Sequence, residues 1–517
     1  MKKINIYKAV TACTFASVLL CSMSSCTDGF QEANRPGTGA SLEDLSRDNY
    51  QTSSFLVQME NEAFPEQENA YQMNEDLIGN YLGRYMTYAN NGFAEKNFAR
   101  LNAPNGWVRY PFKDSMTKTV SAFKAIDNVT KGEGPVYAWA LILRAQSFMR
   151  LTDMYGPLPI GADATDGNAY SSQEDVYKSI IADLNKATDV IKPLVASNPN
   201  VTIAEELDKV YQGKMAKWLK YANSLKLRIA IRIRYVEPTL AKQLGEQAVQ
   251  DGVITSNDDN CAIAYTPNGQ YKTSVEWGDS RACADLESFL TGYNDPRLTK
   301  FFKPTEEAGN RAIIGCRAAA KIGNKTTAGK AYSAANIKID SKGVWLTASE
   351  MAFCRAEGAL AGWSNMGGSA KDLYEDGVKL SFEQWGAGSA TAYLADNTST
   401  EKNYVDPISE YGGDVSAVSN ITIKWDDSAT DEQKMERLIT QKWIAMFPNG
   451  QEGWSEIRRT GYPKVFPLAQ STDYSIQVAN RIPFDIDEAT NNKANYIKAV
   501  QLLKGNDDYA TKMWWQR

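Results

Sequence analysis

The chain has 517 residues, 56 basic against 62 acidic side chains, a formal net charge of −6 and no histidine. The acidic balance argues against nucleic acid, whose binding needs a basic footprint. Without histidine there is no Ser-His-Asp or Cys-His nucleophile system and no usual general base or commonest metal ligand, whereas paired-carboxylate chemistry stays open.

Lys2, Lys3 and Lys8 open the chain ahead of an apolar run from Ala9 to Leu20, and the segment closes as Met23-Ser24-Ser25-Cys26. Such a run suits export but falls short of the roughly 20 apolar residues that cross a bilayer. The pattern predicts a lipoprotein signal over residues 1–25, cut in front of a lipid-bearing Cys26. A plain secretory signal cut after Ser24 or Ser25 is the alternative, although Thr27-Asp28-Gly29 offers no Ala-x-Ala site. Acyl chains contribute about 0.8 kcal/mol per buried methylene, and more than one chain gives stable anchoring. Residues 26–46, rich in Gly, Pro, Asn and Asp, predict an extended tether. Residues 47–517 are then one domain.

Helical spacing dominates that domain. Amphipathic stretches are predicted at about 51–64, 70–89, 112–130, 136–154, 173–192, 214–234, 238–250, 347–362, 369–385, 431–447 and 492–503. In 136–154 the residues Ala138, Leu141, Ile142, Ala145, Phe148, Met149 and Thr152 recur at steps of three and four, and Tyr155-Gly156-Pro157-Leu158-Pro159 ends the run. Ser172 is placed to cap the next helix, with Asp175 at the capping-box position. Short connections between several stretches predict antiparallel pairs of degenerate tetratricopeptide type, without a strict repeat. Two segments, 252–346 and 386–430, are rich in Asn, Gly, Thr and Tyr and predict a loop-rich lobe of the kind that carries binding surfaces. The fold class is therefore mainly α.

Of seven cysteines, Cys13 and Cys21 lie in the signal and Cys26 at its end. Cys261, Cys283, Cys316 and Cys354 show no metal-finger spacing, so zinc is not expected, and they are read as buried thiols or as a disulfide. Asn257-Asp258-Asp259-Asn260 and Asp426-Asp427 do not follow a calcium-loop spacing and read as solvated charge. No metal or cofactor is expected.

Motifs along most of the chain resemble the SusD/RagB family of outer-membrane nutrient-binding lipoproteins, and more closely its second large branch. These are Asp28 to Phe30 with Asn34 and Pro36, Arg144 to Pro159, and Asp208, Tyr211, Gly213 and Lys217-Trp218. They continue with Ala222 to Arg228, Asn294-Asp295-Pro296-Arg297-Leu298, Thr347 to Glu357, Gln441-Lys442-Trp443, Gly453 to Pro463, Arg481-Ile482-Pro483 and Trp514-Trp515. Most have a structural explanation: Asn223 and Arg228 are expected to satisfy backbone or carboxylate groups. Glu350 and Glu357, seven apart on one helical face, are expected to anchor Arg458 and Arg459. The resemblance implies a non-catalytic, surface-exposed outer-membrane lipoprotein that binds oligosaccharide or peptide. It also implies delivery of that cargo to a SusC-like TonB-dependent transporter.

Sugar recognition uses flat apolar faces for C–H surfaces and planar polar groups for hydroxyls. With 12 Trp and 26 Tyr, most aromatics belong to the core, and position selects the rest. Trp107 sits in the turn-rich Asn102-Ala103-Pro104-Asn105-Gly106-Trp107, preceded by Asn90, Asn91 and Arg100; Tyr271 and Trp277 lie in the loop-rich lobe. Trp107, Tyr271 and Trp277 are the expected platforms, with Asn91 and Arg100 as hydrogen-bond donors. Two other classes remain open: a lipid-anchored glycoside hydrolase using two carboxylates, and a helical adaptor with no small-molecule ligand.

Overall fold

The computed structural model describes residues 50–160, 169–306, 313–469 and 476–517. The predicted signal, Cys26 and the tether lie outside the described residues. Ser53–Arg517 is one compact unit, and apart from the first three residues of its opening helix everything below concerns it.

Its longer helices are α1 (Tyr50–Ala63), α2 (Thr117–Thr130), α3 (Gly134–Tyr155), α4 (Gln173–Ser197), α5 (Met215–Ile233) and α6 (Pro238–Asp251). They continue with α7 (Ala284–Gly292), α8 (Ala348–Leu360), α9 (Ala370–Gln384), α10 (Asp431–Ala445), α11 (Gly450–Thr460) and α12 (Lys493–Leu502). Successive helices pack pairwise from α2 to α6; α8 pairs with α9 and also packs on α5 and α10. Four short strands form two antiparallel pairs. β1 (Met86–Tyr88) joins β3 (Ser280–Ala282), and β2 (Cys261–Ile263) joins β4 (Gly343–Leu346).

The mainly helical class holds, and local sequence explains most helix ends. α3 buries Leu141, Ile142, Ala138 and Ala145 and stops at Gly156, whose φ of +87° suits a residue without Cβ. Ser172 accepts the N–H of Asp175 at 3.1 Å as the cap of α4. α4 runs one turn past its predicted end because exposed Pro193 removes a single intrahelical bond near the tail.

The helix predicted at 70–89 is shorter. Glu68–Tyr71 continues into a π-helical segment over Gln72–Asn80. The helical path then breaks at Arg84, which turns the chain at φ +63° into β1. Arg84 is held there by the carbonyl of Gln477 at 2.6 Å and by Asp285 at 3.8 Å. α11 was not anticipated as a helix, because Gly450 and Gly453 weaken its local preference. Tertiary contact supplies what propensity lacks: a Cβ on Gly453 would come within 2.8 Å of the Tyr85 ring, and one on Gly450 would collide with Asn80.

A buried ion-pair network binds these helices. Arg228 grips Glu350 through two bonds of 2.6 Å. Arg232 bridges Asp153 and Glu452. Arg459 pairs with Glu357 at 2.6 Å and Glu456 at 2.5 Å, and Lys442 reaches Glu456 at 2.9 Å. The expected anchoring is thus corrected in part. Glu357 meets Arg459, but Glu350 belongs to Arg228, because α8 faces α5 at that level. Arg458 instead donates to the carbonyls of Asp153 (2.6 Å) and Asn480 (2.9 Å) while lying 3.4 Å over Trp454. Asn223 donates to the carbonyls of Asp251 and Gly252. Cys261, Cys283, Cys316 and Cys354 are free, buried thiols.

Candidate ligand-binding rim

Antiparallel pairing of β1 with β3, with Thr87 opposite Arg281, brings the segment after β1 against the segment before β3. Ala89 extends the contact by donating to the carbonyl of Asp279 at 2.8 Å. Asp279, 7% exposed, is the hub. One carboxylate oxygen accepts Asn90 Nδ2 at 2.8 Å and Lys325 Nζ at 2.6 Å, and the other accepts Gln72 Nε2 at 3.2 Å. The backbone N–H of Lys325 donates to Asn91 Oδ1 at 3.2 Å. Four stretches distant in sequence are thereby tied into one surface.

Trp107 stands at one end of this surface. It lies on a short helix, Asn105–Tyr110, rather than in the loop its Pro-Asn-Gly context predicts, because Pro104 fixes an extended entry and the helix starts directly after it. Its half-buried indole meets Phe93 edge-on at 5.1 Å and lies 6.5 Å from Phe98. Phe93 belongs to the same turn as exposed Asn91. Trp277, two residues before Asp279 in the chain, is half-buried. The ammonium of Lys272 lies 5.4 Å from its ring centre, a cation–π contact. Lys272 is fixed by Glu68 at 3.2 Å and by Glu276. Tyr271 opens a π-helical turn, Tyr271–Glu276, and its backbone N–H donates to Asn268 Oδ1 at 3.0 Å.

Arg100 is half-buried and turned toward Tyr88. Burial pushes the Tyr88 phenol up, and the Arg100 guanidinium opposes that shift. Part of the donor capacity of Arg100 is therefore directed inward. Contacts link Trp107, Asn91 and the Asp279 hub beside Trp277; Tyr271 sits at the far end of the same π-helical turn. Phe93, Lys272, Asp279 and Lys325 were missed by sequence reasoning. Each lies in a short turn or at the edge of a short element, Phe93 in Asn91–Phe93, Lys272 in Tyr271–Glu276 and Lys325 at the start of Lys325–Ala331, and has a role only after the strand pair forms, so no local signal marks it. Asp259 is occupied by Lys217 (3.5 Å) and Lys220 (2.6 Å). Among the described residues no group of His, Cys, Asp or Glu is arranged to hold a metal ion.

The family model described as SusD-like, the SusD and RagB outer membrane lipoproteins, matches residues 32–516, and the chain belongs to that family. Similar solved structures agree. A SusD-like protein from Bacteroides thetaiotaomicron is 36% identical, with 90% of this chain and 98% of that one covered at a TM-score of 0.84. A SusD homologue from Bacteroides uniformis is 34% identical over 91% and 100%, also at 0.84. A chitin-binding SusD homologue from Flavobacterium johnsoniae is 34% identical over 90% and 98%, at 0.83. No curated protein matches the chain.

Proposed function

We propose that the protein is a surface-exposed lipoprotein, anchored through Cys26, that binds oligosaccharide without altering it and hands it to a SusC-like TonB-dependent transporter. The observation that carries this reading is the polar strip of Asn91, Lys325 and Asp279, joined by hydrogen bonds, with half-buried Trp107 against Phe93 of the Asn91 turn and half-buried Trp277 two residues before Asp279 in the chain. Indole faces accept sugar C–H surfaces, while amide and ammonium groups address hydroxyls. Each ring already has a fixed neighbour, Phe93 for Trp107 and Lys272 for Trp277, so little rotamer entropy is lost on binding. The chitin-binding relative adds weight to a glycan as cargo.

A non-catalytic role is consistent with the carboxylates. Glu350 and Glu357, the pair that could be mistaken for hydrolytic acids, are buried and saturated by Arg228 and Arg459. A modest site suffices for such work: holding cargo beside a pore raises its effective concentration there without tight binding.

The test is a glycan array followed by calorimetry on the native chain, Trp107→Ala and Trp277→Ala. Binding that weakens in both variants with no product released supports the proposal. Equal affinity in all three rejects the site, and release of shortened glycan rejects the non-catalytic role.

A further inference from the structure

Two adjacent chambers share Gln270, Ile337, Lys342, Val344 and Pro448 in their walls. The inner one measures about 20 Å³ and is lined by Glu66, Glu75 and Trp345. That is space for one group of the size of a water molecule or an ammonium. The outer one measures about 190 Å³ and is walled by Phe301, Trp385 and Phe447. Exposed Asn336 and Lys342 stand at its edge, so solvent reaches it.

Several polar atoms of these walls are left unmatched within the protein, Oε2 of Glu75 among them. Glu66, 3% exposed, uses Oε1 to accept Trp345 Nε1 at 3.1 Å, while Oε2 lacks a side-chain partner; the backbone N–H of Gly269 also turns toward this carboxylate. Glu75 already has its cation: Arg150 donates to it at 2.6 Å and lies 4.8 Å over the Trp345 ring. Glu66 has none. Gln270, 2% exposed, leaves Nε2 without an acceptor, and so does Trp385 Nε1. A carboxylate oxygen short of a cation thus lines the small chamber and Trp385, with an N–H short of an acceptor, lines the larger one; Gln270, likewise short of an acceptor, and Lys342 line both. Buried polar groups of this kind cost stability unless something pairs with them.

We propose that the two chambers form a second binding site, for a small zwitterion with an apolar tail such as an apolar α-amino acid. Its ammonium lies against Glu66, its carboxylate meets Gln270, Trp385 and Lys342, and its side chain fills the space between Phe301 and Phe447. A neutral polyol brings no positive charge to displace the proton that Glu66 holds, and a simple cation leaves both donors idle. A zwitterion supplies both a counter-charge for Glu66 and an acceptor for the two donors. The site is independent of the glycan rim, so either can fail without the other.

Proton linkage gives the site a signature. Burial pushes the Glu66 carboxyl up to about 8; the N–H groups of Gly269 and Trp345 and the charge of Arg150 oppose the shift, and nearby Glu75 adds to it. Tyr71, Tyr265 and Lys342 are the other titratable groups facing Glu66. Near neutral pH the carboxyl therefore holds a proton that an arriving ammonium displaces. Affinity should rise from about pH 6 to about pH 8.5, with proton release largest at the acidic end.

The experiment is calorimetry of the full chain with L-leucine, with 3-methylbutylamine, which lacks the carboxylate, and with 4-methylpentanoate, which lacks the ammonium. Leucine should bind, with each analogue at least about tenfold weaker, as expected for a lost charged hydrogen bond. Glu66→Gln should weaken leucine by a similar factor while leaving 4-methylpentanoate unchanged, which also reports that the variant is folded. Trp385→Ala, on the half-exposed wall, should weaken leucine and serves if Glu66→Gln does not fold. Absence of leucine binding at about 10 mM, or equal leucine affinity in the native chain and either variant, overturns the proposal.

Discussion

Replacing Arg459 with Met tests the physical basis of the scaffold. Arg459 is fully buried and holds Glu357 through two bonds of 2.6 and 2.7 Å and Glu456 at 2.5 Å. Each acid keeps one other cation, since Arg234 lies 2.6 Å from Glu357 and Lys442 lies 2.9 Å from Glu456. Removing one member of a buried pair costs about 3–5 kcal/mol, and the remaining cations place this case near the lower end, about 3 kcal/mol. The pH dependence fixes the sign. Burial alone pushes both carboxyls up, but Arg459, with Arg234 and Lys442, more than reverses this and holds them below the usual carboxylate range. In the native chain their contribution is present above the ordinary carboxylate pKa and is lost as pH falls through the depressed folded values. In Arg459→Met burial dominates, so the penalty is largest near neutral pH and shrinks in acid as the carboxyls protonate. Urea unfolding at about pH 7 and about pH 4.5 reads both quantities. A cost under about 1 kcal/mol at neutral pH, or one that does not shrink in acid, refutes the reasoning.

Trp107→Ala and Trp277→Ala should each weaken glycan binding about five- to thirtyfold, or about 1–2 kcal/mol, with small changes in melting temperature, read by calorimetry and thermal scans. Gly83→Ala should destabilise by about 3 kcal/mol or more in urea unfolding. The added Cβ would meet the carbonyls of Gly450 and Gly79, both backbone and unable to give way cheaply. Cys26→Ala should move the protein from the detergent phase to the aqueous phase in a phase-partition assay, since no other residue is proposed to carry lipid. Asp279→Ala releases Lys325, Asn90 and Gln72 together and should reduce glycan affinity by more than either indole variant. Unchanged affinity would separate the hub from the site.

Helices were legible where the pattern is local. Leu141, Ile142, Ala138 and Ala145 announce α3 by spacing alone, and Gly156 and Ser172 announce its end and the next start. Those signals arise because a 3.6-residue period and a cap need only neighbours in the chain. The motifs from Arg144 to Pro159 and from Ala222 to Arg228 likewise carried the family from sequence. Only the tertiary structure decided the rest. α11 is helical despite two glycines because those glycines let it approach Asn80 and Tyr85, a contact 370 residues distant in the case of Gly450 and Asn80. Glu350 chose Arg228 over Arg458 because α8 packs on α5, which no spacing along the chain encodes. The same holds for the rim: Asn91, Asp279 and Lys325 became one surface when β1 met β3. Helix-forming preference is written in adjacent residues, whereas the partner of a charge or a ring is set by which distant segments exclude water together.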